Sequence, residues 1–296
     1  MVSEAVHAVA ECLAQAESES EEARATALQT LSALTKLSSH NRDLVALTDG
    51  ALPLLLSLSD SPLALSTLLH LSLNPNLKKP IASVDGLLGR LSSLLLCPST
   101  SPQTAALTAS LVCSLAMHDK NKAPLGVAGA VEAVVETLVI ATTSPSEGAV
   151  ARHLLSSLAE LAQFHGNCTL AVRAGAVPVL IRILDGQAED LVGTASVVLA
   201  RLASFEEGMG AIREVPGVAW VLLEAVRKGC VVGRESAMEV LVRLVGESRE
   251  LTEEVAASED TSILLADLSI RGSAKLRDQA ALLMKLMDDA DFKFAI

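Results

Sequence analysis

The sequence predicts an all-α protein built as a solenoid of repeated helical units, and three observations support this fold class. A segment of related sequence recurs about every 42 residues, a period typical of helical solenoids. Hydrophobic residues make up 50% of the chain and aromatic residues only 2%, which favours close-packed helices over a β-sandwich. The 296 residues are long for one compact core and contain no interdomain linker, and a solenoid accommodates this length because each unit packs only on its neighbours.

Each copy of the recurring segment begins with Asn or Gly. A turn Gly follows eight to ten positions later, and a leucine-rich run comes after it. The five copies are NRDLVALTDGALPLLLSL (41–58), NLKKPIASVDGLLGRLSSLL (76–95), NKAPLGVAGAVEAVVETL (121–138), NCTLAVRAGAVPVLIRIL (167–184) and GMGAIREVPGVAWVLLEAV (208–226). This turn Gly predicts a left-handed or otherwise tight turn between a short helix and the next helix, because glycine tolerates positive φ. These turn glycines are Gly50, Gly86, Gly129, Gly175 and Gly217.

A polar loop and a longer helix follow each of these runs, with apolar residues spaced by three and four, as in Leu28, Leu31 and Leu34. Placing each boundary just before a long helix divides the chain into about six three-helix units. They span about 23–62, 63–101, 102–146, 147–190, 191–230 and 231–273.

The ends of the chain are predicted to cap the stack. A helix over 274–288 closes it, because Lys275, Arg277 and Asp278 provide the polar outer face that a terminal unit needs. At the other end, an amphipathic helix over 1–16 and an exposed, mobile acidic joint over 16–22 precede the repeats. Residues 289–296 form a C-terminal tail.

Three loops contain Ser-Pro, namely Ser61-Pro62, Ser101-Pro102 and Ser144-Pro145. One interpretation is proline-directed phosphorylation. The interpretation we favour is structural: Ser lies at or near the N-cap of a long helix and Pro in its first turn, where Pro has no N–H to lose.

Charge and cysteine content restrict the kind of partner and the compartment. The net charge of −12 disfavours binding to nucleic acid or to an anionic membrane surface. Five scattered cysteines indicate reduced thiols in a cytoplasmic or nuclear protein, four of them filling helix core. The N-terminus lacks the basic region of a signal peptide, and the longest apolar stretch contains Glu132 and Glu136, so no membrane span is predicted.

Sequence patterns for catalysis, metal binding or cofactor binding are weak. His165 and Cys168 have a ligand-like spacing, but no second pair lies nearby in sequence, and structural zinc needs four ligands. No nucleophile elbow, P-loop or dinucleotide-binding fingerprint occurs. We therefore expect no catalytic residue, metal, cofactor or small-molecule substrate.

The three-helix units and their leucine framework resemble armadillo repeats. Four segments further resemble the armadillo region of plant U-box ubiquitin ligases: LLHLSLNPNLKKPIASVDG (68–86), SLAMHDKNKAPLGVAGAVEAV (114–134), LARLASFEEGMGAIREVPGV (199–218) and GSAKLRDQAALLMKL (272–286). The similarity extends over about 23–288. It implies a right-handed superhelical solenoid whose long helices line a concave groove that binds protein segments, in ubiquitin-linked turnover or plant signalling.

Ligases of this family also carry a U-box that docks a ubiquitin-charged E2 enzyme, and no part of this sequence resembles it. We therefore expect a non-enzymatic protein–protein interaction scaffold. One alternative is the substrate-recognition region of a U-box ligase whose U-box is absent from this chain. Another is a scaffold that binds helices through its convex or end surface.

The resemblance to armadillo proteins such as importin-α implies two rows of groove residues. Positions that hold a peptide-binding Asn there correspond to Ala33, His70, Ser114, Glu160, Arg201, Arg243 and Lys285. Positions that hold Trp, one turn earlier, correspond to Gln29, Ser66, Ser110, Ser156, Val197, Glu239 and Ala281. Neither row has Asn or Trp, so the site for nuclear-import cargo is absent, and we expect the polar members of both rows to bind the partner. Trp220 is expected in the core or on the flank of a second helix.

The first row ends in the cations Arg201, Arg243 and Lys285, which stacked at about 10 Å per helix would form a basic stripe. This stripe predicts a partner segment with acidic or phosphorylated residues, bound in extended form. We expect the chain itself to be a monomer. The alternative is three ordinary solvated side chains, with Arg201 and Arg243 paired to Glu160 and Glu239.

Overall fold

The computed structural model describes residues 2–144, 148–186 and 188–292. Within these ranges it contains twenty α-helices and one 3-10 turn, Pro75–Leu77, and no β-strand. The all-α prediction is therefore confirmed. The chain divides into two units, residues 1–167 and residues 168–296, which we call the N-terminal and the C-terminal unit.

The N-terminal unit consists of sets of a long helix, a short helix and a second helix, preceded by one N-terminal helix. Its helices are α1 (Val2–Ala16), α2 (Glu21–Leu37), α3 (Ser39–Leu47), α4 (Ala51–Ser57), α5 (Pro62–Ser72), α6 (Lys78–Ala82), α7 (Leu87–Leu96), α8 (Pro102–Ala116), α9 (Asp119–Val127), α10 (Ala130–Ala141), α11 (Gly148–Leu161) and the start of α12 (His165–Arg173). The long helices α2, α5, α8 and α11 pack side by side in chain order, and the second helices α7 and α10 pack on each other and behind them.

Leucine stripes hold the long helices together. Leu31, Leu68 and Leu111 are fully buried, one on each of three consecutive long helices. Burying one such side chain contributes about 1.5–3 kcal/mol. The opposite face of these helices stays open, and it carries Ser, Gln and His side chains beside Leu63, Leu69 and Leu107.

The C-terminal unit repeats the pattern. It contains α13 (Ala176–Asp185), α14 (Glu189–Ala203), α15 (Glu206–Arg213), α16 (Val218–Lys228), α17 (Val231–Glu247), α18 (Arg249–Ala256), α19 (Glu259–Arg271) and α20 (Ala274–Phe292). The long helices α14, α17 and α20 pack in series, α14 on α17 and α17 on α20. A Cβ added to Gly233 would lie 2.8 Å from the Gly193 Cα, so two glycines let α14 and α17 approach closely.

The five predicted turn glycines are confirmed, since each has φ between 71° and 84° immediately before a second helix. A Cβ added at these positions would meet nothing within 4 Å. Backbone conformation alone therefore requires glycine there.

The recurring Asn or Gly at the start of each segment also has a structural role. Asn121 Nδ2 donates to the carbonyl oxygens of Leu115 (3.0 Å) and Lys78 (3.1 Å). Its side chain therefore caps the end of α8 and links this helix to α6 of the preceding repeat. Asn167 makes the equivalent two bonds in the next repeat, to Leu161 O and Lys122 O at 3.0 Å.

Gly208 replaces this Asn in the fifth copy. A Cβ at Gly208 would lie 2.1 Å from Leu202 O, so the backbone approaches too closely for any side chain. The last carbonyl groups of a long helix thus either accept a hydrogen bond from an Asn side chain, as at Leu115 and Leu161, or pack closely against the backbone of a Gly, as at Leu202.

The N-terminal prediction requires two corrections. Ser20 is the N-cap of α2, its Oγ accepting from Ala23 N at 3.3 Å, so Glu21 and Glu22 belong to the first helical turn and not to an acidic joint. Carboxylates are favourable there because the helix dipole is positive at the N-terminus. Ala16, at the other end of the predicted joint, is buried at the end of α1.

At the C-terminus the capping helix extends to Phe292, four residues beyond the predicted end, and residues 293–296 of the predicted tail lie outside the described residues. Lys275, Arg277 and Asp278 are exposed on α20, as expected of a terminal helix. Among the described residues no single helix is both long and apolar enough to cross a membrane. Two bent pairs, α9 with α10 and α12 with α13, reach that length and apolarity only together.

The structural interpretation of the Ser-Pro pairs is confirmed for two of them. Ser101 caps α8, accepting from Thr104 N at 3.1 Å, with Pro102 in the first turn. Ser61 occupies the N-cap of α5 before Pro62, without a side-chain capping bond. The third pair includes Pro145, which lies outside the described residues. Phosphorylation at these sites stays a prediction.

The expectation that four cysteines fill the helix core is wrong. None of the five forms a disulfide in the described residues, but only Cys168 is buried; Cys12 and Cys113 are half-buried, and Cys97 and Cys230 are exposed. The exposed pair occupies the C-cap of α7 and the N-cap of α17. Cap positions lie outside the packed stripe of a helix, which explains the exposure.

Candidate partner-binding face of the long helices

The open face of the N-terminal unit contains a cleft of about 430 Å3 between α5, α8 and α11. Its lining comprises Pro62, Leu63, Ser66 and Leu69 from α5, Gln103, Ala106, Leu107 and Ser110 from α8, and His153 from α11. Ser66 and Ser110 are two of the predicted groove residues, so the structure brings these two together in one cleft.

His153 is a cleft residue that sequence reasoning missed. It lies outside both predicted rows, three residues before Ser156. Its Nδ1 lies 3.0 Å from Ser110 Oγ, which already donates its one proton to Ala106 O at 2.7 Å. Nδ1 must therefore carry the proton and donate to Ser110, leaving Nε2 as an acceptor.

His70 repeats this arrangement on α5. Its Nδ1 lies 3.3 Å from Thr35 Oγ1, which donates to Leu31 O at 2.8 Å. Partial burial lowers the pKa of His70 and of His153. For His70 a backbone hydrogen bond with Ser32 opposes this shift while the Lys36 and Arg42 charges add to it, and for His153 the Arg152 charge adds to it. Both imidazoles are thus neutral at pH 7.

Ser114, predicted to face the partner, is instead buried at 7% exposure. Its hydroxyl accepts from Ser72 Oγ at 2.8 Å and from Lys78 Nζ at 2.7 Å, and Lys78 also donates to Ser114 O at 2.6 Å. The prediction at Ser114 therefore needs correction, because the buried Lys78 of α6 bonds to both the hydroxyl and the backbone carbonyl of Ser114. Burial lowers the pKa of Lys78.

Glu160 belongs to a second polar cluster, on α11 and α9. Its Oε2 accepts from Gln163 Nε2 at 3.0 Å, and Gln163 Oε1 accepts from Lys122 Nζ at 3.1 Å. Lys122 is 3% exposed and also pairs with Asp119. Burial, followed by the Glu160 charge, raises the pKa of the nearby Cys113 thiol to about 11.

The remaining predicted residues of the N-terminal unit lie on exposed helix surface. Gln29 on α2 is exposed, as is Ser156 on α11, whose Oγ donates to Arg152 O at 2.9 Å. Neither lines the cleft described above.

In the C-terminal unit the three predicted cations differ in whether they already bond to other groups of the chain. Arg243 Nε donates to Glu247 Oε1 at 3.0 Å and its Nη1 to Ala203 O at 2.5 Å, so the paired interpretation holds there, with Glu247 as the partner instead of Glu239. Glu247 Oε2 is bound at 2.6 Å by Arg213, and these bonds lower the Glu247 pKa. Glu239 pairs with Lys275 at 2.7 Å.

Arg201 and Lys285 are exposed on α14 and α20. In the part of the chain that the structure describes, neither side chain has a hydrogen bond or an ion pair. The basic stripe thus retains two available cations out of three. Trp220 lies on the second helix α16, 38% exposed, with Nε1 donating to Glu254 Oε1 at 2.5 Å.

His165 and Cys168 do not form part of a metal site in the described residues. No three His, Cys, Asp or Glu side chains lie close enough together there to hold an ion. Cys168 is buried, which raises its pKa, while the Arg201 charge acts in the opposite direction.

Solved structures with a similar arrangement of helices decide the fold. A designed armadillo repeat protein, YIII(Dq)4CqI, has a TM-score of 0.68 at 20% identity, over 79% of this chain and 98% of that chain. The chain has the armadillo-repeat fold. A chain from a structure of the cadherin–β-catenin interaction gives a TM-score of 0.78 at 16% identity, over 97% of this chain and 55% of that chain. A further designed armadillo repeat protein, solved with the peptide (KR)4, gives a TM-score of 0.58 at 15% identity, over 94% and 98%.

Sequence relatives of this armadillo-repeat chain are plant U-box proteins, which confirms the resemblance noted in the sequence. U-box domain-containing protein 8 of Arabidopsis thaliana is 31% identical over 194 residues, 65% of this chain and 48% of the relative. U-box domain-containing protein 1 of Medicago truncatula is 29% identical over 118 residues, 40% of this chain and 17% of the relative. The chain thus spans less than half the length of either relative. No protein-family model matches the sequence.

Proposed function

We propose that this chain is a non-catalytic scaffold that binds an extended segment of another protein on the open face of its long helices. The observation that supports this most is the cleft between α5, α8 and α11, where Ser66 and Ser110 of the predicted rows meet. An extended segment leaves its backbone N–H and C=O groups free, and hydroxyl and imidazole groups can bond to both. A monomer acting in the cytoplasm or nucleus fits this role.

The context we propose is ubiquitin-linked protein turnover or signalling, on the basis of the U-box relatives. The alternative is that the chain is the substrate-recognition region of a U-box ubiquitin ligase. The same relatives favour this alternative, because the alignment covers less than half of each of them and leaves room for further domains.

For the C-terminal unit we propose that Arg201 and Lys285 bind acidic or phosphorylated residues of the partner. Both are exposed and carry no ion pair among the described residues. Guanidinium and ammonium groups bind carboxylate and phosphate through charge-assisted hydrogen bonds. Affinity should weaken with salt, because exposed charges are screened over about 8–10 Å.

Affinity capture of partners from plant extract, followed by crosslinking mass spectrometry, tests this proposal. The double variant Arg201→Glu/Lys285→Glu should lose partners that the parent chain retains, with helicity unchanged. The control Lys79→Glu/Lys120→Glu makes the same charge change at exposed positions on the short helices α6 and α9. Equal capture by both variants, or crosslinks confined to short and second helices, would place the working surface elsewhere.

A further inference from the structure

We propose that the cleft between α5, α8 and α11, here called the neutral cleft, accepts an uncharged stretch of the partner segment with a large apolar side chain inserted between the helices. This inference rests on the proposed function and specifies the chemistry of the segment that one part of the face selects.

Two of the three helices that form the cleft carry no charged side chain. Helices α5 and α8 contain no Asp, Glu, Lys or Arg, although the chain has 58 such residues in total, 23 basic and 35 acidic. Apolar side chains, Leu63, Leu69 and Leu107 among them, make up much of the wall. A charged group that entered would lose its hydration without meeting an opposite charge on these helices.

The cleft presents a hydrogen-bond acceptor on His153. The proton on His153 Nδ1 is committed to Ser110 Oγ, so Nε2 presents a lone pair and has no partner among the described residues. Acceptors of this kind bind backbone N–H groups of an extended segment, whereas an ionised carboxylate offers no proton to donate.

The charged side chains nearest the cleft lie outside its lining. Lys78 bonds to Ser114, Glu160 to Gln163, and Arg152 lies beside His153, and none of the three lines the cleft. The volume of about 430 Å3 falls within the range of clefts that bind ligands, about 300–1,000 Å3, and admits a large side chain. A segment with a large apolar side chain and free backbone N–H donors therefore fits the cleft.

A phage-displayed library of random linear dodecapeptides, selected against the full 296-residue chain, tests this inference. We expect enriched peptides with Leu, Met, Phe or Trp in a stretch that lacks Asp and Glu. Ala106→Glu, which places a carboxylate in the wall, should weaken their binding at least tenfold. Gln103→Glu is an isosteric second variant that should also weaken binding, and a carboxylate in the first turn of α8 favours folding.

Two further variants complete the design. His153→Phe keeps the ring and removes the acceptor, and should weaken the same peptides severalfold. Val127→Glu is the matched control, because it adds the same charge on α9 at a side chain that is 91% exposed and outside the cleft. It should leave affinity unchanged, and melting temperatures confirm that all variants fold.

The outcomes separate this inference from the proposed function. Peptides that bind Ala106→Glu and Gln103→Glu as well as the parent, yet are lost on Arg201→Glu/Lys285→Glu, overturn the neutral cleft and leave the scaffold proposal standing. Enriched peptides with acidic residues that depend on Ala106 also overturn the neutral cleft. Peptides that no long-helix variant affects contradict both.

Discussion

At the scale of single residues, the turn glycines connect sequence and fold most directly. Gly129 and Gly175 have φ of 79° and 84°, and nothing within 4 Å would obstruct a side chain at either position. Gly129→Val and Gly175→Val should each lower the free energy of unfolding by about 1–3 kcal/mol, because a β-branched residue is strained at positive φ. Thermal and urea unfolding measure this.

Gly89 provides the control for these substitutions. It lies inside α7 without positive φ, and a Cβ there also meets nothing within 4 Å. Gly89→Val should therefore change stability far less. Equal melting temperatures for the parent chain and both turn variants would show that φ > 0 is not required at these turns.

Cys113 leads to a prediction about pH. Its pKa is raised from 9.0 to about 11 in the folded chain, so between these values the unfolded chain releases the thiol proton first. Stability from this group is complete below pH 9 and is lost as pH rises towards 11. The free energy of unfolding should fall less steeply over this interval in Cys113→Ala than in the parent chain, as denaturant titrations at several pH values can measure. Identical pH profiles would mean that Cys113 titrates like an exposed thiol.

At the scale of elements, the joint between the long helix α14 and the short helix α15 leaves no space for a side chain at Gly208. A Cβ at Gly208 would lie 2.1 Å from the backbone oxygen of Leu202, where α14 ends and α15 begins. Gly208→Ala should destabilise the chain by about 1–3 kcal/mol, the usual cost of overpacking.

Gly210 on the same helix α15 is the matched control, because nothing lies within 4 Å of an added Cβ. Gly210→Ala should stabilise the chain by up to about 1 kcal/mol, since Ala has the higher helix propensity. Chemical unfolding of both variants distinguishes steric exclusion at one position from a general effect of replacing glycine. A Gly208→Ala variant as stable as Gly210→Ala would contradict the close approach.

Elements also show why groove residues were only partly predictable. The resemblance to armadillo proteins implies the two rows, and spacing along the long helices carries them onto this chain; Ser66 and Ser110 of these rows lie in the cleft. Spacing fails at Ser114 because Lys78 reaches that position from α6, and a side chain from another helix leaves no trace in the spacing of α8. It missed His153 because a cleft between three helices also takes side chains from beside the predicted rows.

At the scale of the whole molecule, the armadillo-repeat fold suggests a scaffold without ligase activity, whereas the U-box relatives raise the alternative of ubiquitin-ligase activity. This chain, incubated with E1, E2, ubiquitin and ATP, should assemble no ubiquitin chains, because it contains no segment that resembles an E2-docking element. Immunoblotting for ubiquitin, with an intact U-box ligase as positive control, measures this. Robust autoubiquitination that depends on this chain would contradict the scaffold proposal and establish ligase activity.

The sequence by itself determined the helical class, the repeat period, the turn glycines and the similarity to plant U-box proteins. These depend on local backbone preference and on patterns that recur within one chain, both of which sequence displays directly. Only the tertiary structure decided which polar residues are available to a partner. Ser114 and Arg243 bond to side chains or carbonyls from other helices, whereas Arg201 and Lys285 remain exposed. The physical reason is that availability depends on what packs against a side chain across units about 40 residues apart, and such contacts form only when the repeats stack.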